Sequence, residues 1–225
     1  MGVRFHRVGL LRGDQVVLAD VDLELTEHRV GIIGANGSGK STLVRMINGL
    51  VHPTTGSVSV DGVDVARNPG RARRKVGFLF SDADHQIVMP TVREDLDFSL
   101  RRRVRSRSDR ADLVRRAMAE FGLTAMADRP CHALSGGEKQ LLALAAVLLA
   151  EPDVVVADEP TTLLDRSNAR LIARRLAGLD QQVLLVTHHL DLLADFDRVI
   201  VLAQGRVVAD DVPARAIRHY TELVG

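Results

Sequence analysis

The sequence is short of several residue types, and each shortage excludes something. It has no tryptophan, one tyrosine, and an aromatic content of 3%. A protein that grips single-stranded nucleic acid by stacking bases needs aromatic platforms, so that class is disfavoured. There is one cysteine, Cys131, which excludes an intrachain disulfide and fits a reducing compartment. The longest uninterrupted apolar run, Leu141 to Ala150, is ten residues, about half of what a membrane-spanning helix requires. The first residues, Met1-Gly2-Val3-Arg4-Phe5-His6, lack the apolar stretch of a signal peptide, so export by that route is not expected. Net charge is only +1, which argues against a general polyanion binder. Lysine is scarce: Lys40, Lys75 and Lys139 are the only three among 30 basic residues, and codon bias toward arginine and alanine accounts for most of this.

What remains is ordinary for a globular protein. The chain has 225 residues, 46% hydrophobic and 26% charged, enough for one large domain or a compact domain with an insertion. β-rich runs occur at Val3–Phe5, Val16–Leu18 and Val21–Leu25, with a turn at Gly13-Asp14. The run Val30-Gly31-Ile32-Ile33 reads as a buried strand, followed by a glycine-rich loop and an amphipathic helix from Lys40 to Leu50. Asp61-Gly62 and Gln204-Gly205 mark hairpins. Val76–Phe80 reads as another strand, and Thr91 to about Leu148 as helical. Val154–Ala157 and Val183–Val186 are all-apolar runs of the kind that form central parallel strands, with a helix between them at about Ser167–Leu176. The pattern is α/β: one unit over 1–225, antiparallel at both ends, with a helical insertion at about 82–133.

Gly34-Ala35-Asn36-Gly37-Ser38-Gly39-Lys40-Ser41 matches GxxxxGK[ST] between a strand and a helix, the context this phosphate loop requires. Its glycines let backbone N–H groups close around phosphates, and the helix N-terminus adds its dipole. Lys40 is expected to reach the β- and γ-phosphates of ATP, and Ser41, followed by Thr42, to ligate Mg²⁺. In an arginine-rich chain, lysine at this position points to a need for a compact point charge.

Three downstream segments extend the pattern: Leu134-Ser135-Gly136-Gly137-Glu138-Lys139-Gln140, Val154–Ala157 followed by Asp158-Glu159-Pro160, and Val186-Thr187-His188. Ser135 lies 95 residues after Lys40, Asp158 lies 23 further on, and His188 lies 30 beyond that. With these motifs and spacings nearly the whole chain resembles the ATP-binding subunits of ABC transporters, P-loop ATPases with a mostly parallel central sheet, an antiparallel β subdomain and an inserted helical subdomain.

The resemblance implies roles. Asp158 would hold the Mg²⁺ shell, Glu159 would be the general base, and His188 would contact the γ-phosphate. Ser135, Gly136, Gly137 and Glu138 would meet the ATP of a second ATPase subunit, identical or paralogous, in a head-to-tail pair that Asp165 helps to cross. Ser135 also reads simply as the N-cap of a helix beginning near Glu138, and both readings can hold together. His189 is assigned no role.

Two positions depart from the family pattern. Ser81 stands where a glutamine commonly ends a strand and contacts the metal. That role is left to Ser81 through a water, or to Asp82 or Gln86. Arg12 stands where an aromatic residue commonly stacks on adenine. A guanidinium can also stack there, and a solvated turn arginine is the other reading.

The stretch Ser81 to Asp95 (SDADHQIVMPTVRED) resembles that of energy-coupling factor ATPases. These work with a transmembrane coupling subunit and a substrate-binding membrane subunit at the cytoplasmic face of the membrane. Its bland reading is a helix start capped by Thr91 and Glu94. Within that branch the chain looks most like the ATPase of a biotin importer, with cobalt or nickel import as the nearest alternative. A non-transport ATPase of DNA repair or translation is disfavoured by the single cassette, and a metabolic kinase by the LSGG segment. Arginine-rich clusters at 71–75 and 101–107 suit contact with anionic lipid or an acidic partner, but a solvated helical face is the favoured reading, and no nucleic-acid partner is expected.

Overall fold

A computed structural model describes residues 2–225. The first two strands are β1 (Val3–Arg12) and β2 (Gln15–Leu25), longer than their apolar runs and joined at Gly13-Asp14. Each buries alternate residues, such as Val3 and Phe5, while Arg4 and Glu24 face solvent. β3 (Arg29–Ile33) is buried at every position and leads through the glycine loop into α1 (Lys40–Arg45). This helix is shorter than its apolar spacing suggests. The chain leaves helical geometry at Met46–Leu50, where Gly49 takes φ +71°.

The chain continues through β4 (Thr55–Val60), β5 (Val63–Asp64), α2 (Pro69–Lys75) and β6 (Val76–Leu79). The expected helical stretch holds three helices: α3 (Val92–Leu100), α4 (Arg107–Glu120) and α5 (Gly136–Leu149). Gly122 at φ +71° and Pro130 lie in the break between α4 and α5. Then follow β7 (Val154–Asp158), α6 (Arg166–Ala177), β8 (Gln182–Val186), β9 (Arg198–Ala203), β10 (Arg206–Asp211) and α7 (Pro213–Val224). The sequence reading did not anticipate α7.

β1, β2, β4 and β5 form an antiparallel sheet in the order β2-β1-β4-β5. The other six strands are ordered β10-β9-β3-β8-β7-β6, all parallel except β10. The parallel strands are buried on both sides. Val154, Val156, Leu184 and Val186 join a core with α1 and the antiparallel sheet. Val155, Ala157, Val183 and Leu185 join a second core with α3, α4, α5 and α6. Strands clad on both faces need apolar residues at every position, which is why 154–157 and 183–186 are uninterrupted. The carboxyl ends of β3, β7 and β8 emerge together, where open parallel sheets place their ligands.

Candidate active site

The glycine loop leaves β3 in a conformation few residues tolerate. Gly34 has φ +152°, and a Cβ there would overlap the backbone oxygen of Leu202. Gly39, the residue before α1, has φ +104°, outside the reach of ordinary side chains. Lys40 is buried, and its Nζ donates to the backbone oxygens of Gly34 (2.8 Å) and Ala35 (3.0 Å), so the ammonium lies across the loop. Burial lowers its pKa, opposed by the charges of Glu159 and Asp158. The Ser38 hydroxyl is buried in the same loop with no hydrogen-bond partner, a group that a bound oxygen-rich ligand would satisfy.

β7 delivers two adjacent carboxylates with different surroundings. Asp158 is 2% exposed. Its Oδ1 accepts from the Ser41 hydroxyl at 2.7 Å, and its Oδ2 from Arg45 Nε at 3.2 Å, with Arg45 Nη2 at 3.1 Å. A hydroxyl beside a carboxylate oxygen is the hard donor set that suits Mg²⁺. Glu159 has left the strand and adopts φ +54°, unusual for a side chain of its size. Its N–H still donates to Val186 (3.0 Å), so β8 anchors it. Glu159 Oε2 lies 2.7 Å from His188 Nδ1 and accepts from the Thr162 hydroxyl at 3.1 Å. His189 stacks beside His188, ring centroids 4.1 Å apart.

These groups surround one cleft of about 790 Å³. Gly34, Asn36, Gly37, Ser38, Gly39, Lys40, Ser41 and Thr42 form its floor, and Glu159, His188 and Ser81 also line it. Arg12 lines it too, with Gln15 and Val17, and makes no ion pair among the described residues. The structure thus brings together the expected nucleotide-binding residues, with Asp158 bonded to Ser41 beside them. The sequence reading missed Arg45, Thr162, Gln15 and Tyr220. Only Arg45 carried a usable signal, one helical turn beyond Ser41.

Asp82 and Gln86 do not line this cleft. Asp82 accepts from Asp84 N–H and caps a short turn, while Gln86 Oε1 accepts from Phe80 N–H at 3.4 Å. Gln86 instead lines a second groove of about 570 Å³ with Val88, Asp95 and Phe98. Of the three residues considered for the missing glutamine's role, Ser81 alone faces the cleft.

Ser135, Gly136, Gly137 and Glu138 also lie outside the cleft. Ser135 caps α5, accepting from Glu138 N–H at 3.3 Å, and Glu138 Oε2 accepts from Ser135 N–H at 2.7 Å. Gly137 packs against Asn168, where a Cβ would lie 2.5 Å from Oδ1. Asp165 caps α6, accepting from Asn168 N–H (2.9 Å) and Nδ2 (2.8 Å). The signature segment and the Asp165 loop are therefore one packed unit.

The chain is similar to known proteins along most of its length. Residues 18–162 match the family model described as ABC transporter. A biotin transport ATP-binding protein, BioM, of Rhizobium etli is 43% identical over 223 residues, 99% of each chain. The solved structure of cbiO1 from Clostridium perfringens, part of the ABC transporter complex cbiONQ, superposes with a TM-score of 0.85 at 27% identity, covering 97% of this chain and 92% of that one. A dimeric ATP-binding cassette in a post-hydrolysis state with ADP and phosphate superposes with a TM-score of 0.82 at 28% identity, covering 94% of this chain and 98% of that one. The chain belongs to the ATP-binding proteins of the ABC transporter family and is an ATPase.

Proposed function

We propose that the chain is the ATP-hydrolysing subunit of an energy-coupling factor importer for biotin. It would act at the cytoplasmic face of the membrane with a second ATPase subunit, a transmembrane coupling subunit and a substrate-binding membrane subunit. The observation that carries the solute is the likeness to the Rhizobium etli biotin transport protein from end to end. No helix among the described residues is long and apolar enough to cross a membrane, so other subunits would supply the pathway.

In this reading ATP lies along the glycine loop, with Lys40 turning from the backbone oxygens of Gly34 and Ala35 to the β- and γ-phosphates. The Ser38 hydroxyl finds its partner there, and Arg12 lies against the base. Ser41 and Asp158 would hold Mg²⁺, which supplies charge neutralisation at the phosphates. Glu159 takes the proton of the attacking water, and His188 hydrogen-bonds the γ-phosphate. One Glu159 oxygen, Oε2, is shared between His188 and Thr162, which orients the carboxylate. Ser135 and Gly137 of one subunit complete the site of the other, with Asp165 near the contact. The groove beside Gln86, which exposes Val88 and Phe98, receives the coupling subunit.

The test is transport by the reconstituted complex. ATP-dependent biotin uptake that disappears in Glu159→Gln supports the proposal. Uptake of cobalt or nickel instead of biotin, or a protein that never co-purifies with membrane subunits, contradicts it.

A further inference from the structure

The last helix reaches the nucleotide cleft. Tyr220, the chain's only tyrosine, lies on α7 and lines the cleft that also holds Arg12, Asn36, Lys40 and His188. Ala216 on the same helix is fully buried, and Ile217 and Tyr220 pack on the core that contains Val199 and Val201 of β9. The apolar side of α7 is thus seated on the sheet, which fixes where Tyr220 sits. Tyr220 is half-buried between an apolar core and a polar cleft, a setting that suits a side chain with an apolar ring and a polar hydroxyl. The hydroxyl makes no hydrogen bond to any described residue, so it is free to bind a ligand. The position that commonly supplies an aromatic residue for adenine holds Arg12, which leaves Tyr220 as the cleft's one phenol.

We propose that the Tyr220 hydroxyl hydrogen-bonds the bound nucleotide, making α7 a wall of the ATP site. The inference rests on ATP occupying this cleft and assigns a contact from an element outside the phosphate-binding motifs.

Because the chain has no tryptophan and one tyrosine, its tyrosine emission comes from Tyr220 alone. The full-length protein is titrated with ATP, and separately with ADP, while calorimetry measures binding independently. Tyrosine emission should change in step with calorimetric saturation. Tyr220→Phe keeps the ring and its packing, so the fold should persist by circular dichroism while nucleotide affinity falls about tenfold, the loss of one hydrogen bond to a charged or polar acceptor. Emission that stays constant through calorimetric saturation overturns the proposal. So does a phenylalanine variant that binds both nucleotides as tightly as the wild type, which would make Tyr220 a packing residue only. No calorimetric binding at all would overturn the assignment of the cleft to ATP as well, so the two failures are distinguishable.

Discussion

Gly137 is a glycine for a packing reason that can be measured in the isolated chain. A Cβ at this position would overlap Asn168 Cγ and lie 2.5 Å from Oδ1 and 2.7 Å from Nδ2. Asn168 cannot yield freely, because its Nδ2 and its backbone N–H both donate to Asp165. In Gly137→Ala the methyl group must therefore displace Asn168 and break the 2.8 Å bond to Asp165. Overpacking of this kind costs roughly 1–3 kcal/mol, including about 1 kcal/mol for the hydrogen bond. Alanine is the better helix former and returns roughly 0.5–1 kcal/mol. With both ranges taken at their middle, the expected net loss is about 1 kcal/mol, a fall in Tm of roughly 2–4 °C for a chain of this size. Urea or thermal unfolding reads it directly. The double variant Gly137→Ala, Asn168→Ala removes the obstructing side chain. It should be more stable than the sum of the two single effects by about 1 kcal/mol, a coupling expected only of side chains in contact. A Gly137→Ala protein as stable as the wild type, or strictly additive single effects, would refute this reasoning.

Two further expectations concern other parts of the molecule. Lys40→Ala removes the charge that compensates the phosphates and should lower ATP turnover by about a hundredfold or more, measured by phosphate release; retained turnover would contradict the assigned role. Burial raises the pKa of Asp95, against the Val88 and Met89 amides that donate to its Oδ1. The folded state then holds this proton more tightly than the unfolded chain, so its contribution to stability is fullest at acidic pH and declines as pH rises above the ordinary aspartate range. Asp95→Asn keeps an acceptor for both amides and does not ionise. The variant should gain Tm relative to the wild type as pH is raised from about 4 toward neutrality, whereas parallel Tm profiles would show that Asp95 does not titrate differently on folding.

The parts of the fold that could be read from sequence are those in which burial leaves one choice of residue. Strands β7 and β8 announce themselves because both faces are covered, and the glycine loop because its backbone geometry admits little else. The start of α5 was legible for a different reason, since Ser135 is a good N-cap residue, but the return bond from Ser135 N–H to the Glu138 side chain emerged only in the structure. Elsewhere the signal was diluted. β1 and β2 expose alternate residues, so only fragments looked apolar. α7 spreads Ala216, Ile217 and Tyr220 among charged neighbours and escaped notice, and Tyr220 with it. The partners of Asp158 and Glu159 depend on folding as well. Arg45 lies 113 residues from Asp158, and His188 lies 29 from Glu159. The family resemblance placed both histidine and glutamate at one site, but the 2.7 Å pairing between them is visible only once β7 and β8 are adjacent.

The most direct test of the proposed catalytic arrangement is the oligomeric state and turnover of Glu159→Gln with Mg²⁺ and ATP. Glutamine fills the same space but cannot take a proton, so hydrolysis should fall about 10²- to 10⁴-fold while binding survives. ATP then persists in the cleft, and sedimentation should show a dimer that appears with ATP and is absent without it. A Glu159→Gln protein that hydrolyses ATP at the wild-type rate and remains monomeric at saturating ATP would contradict both the base and the shared site.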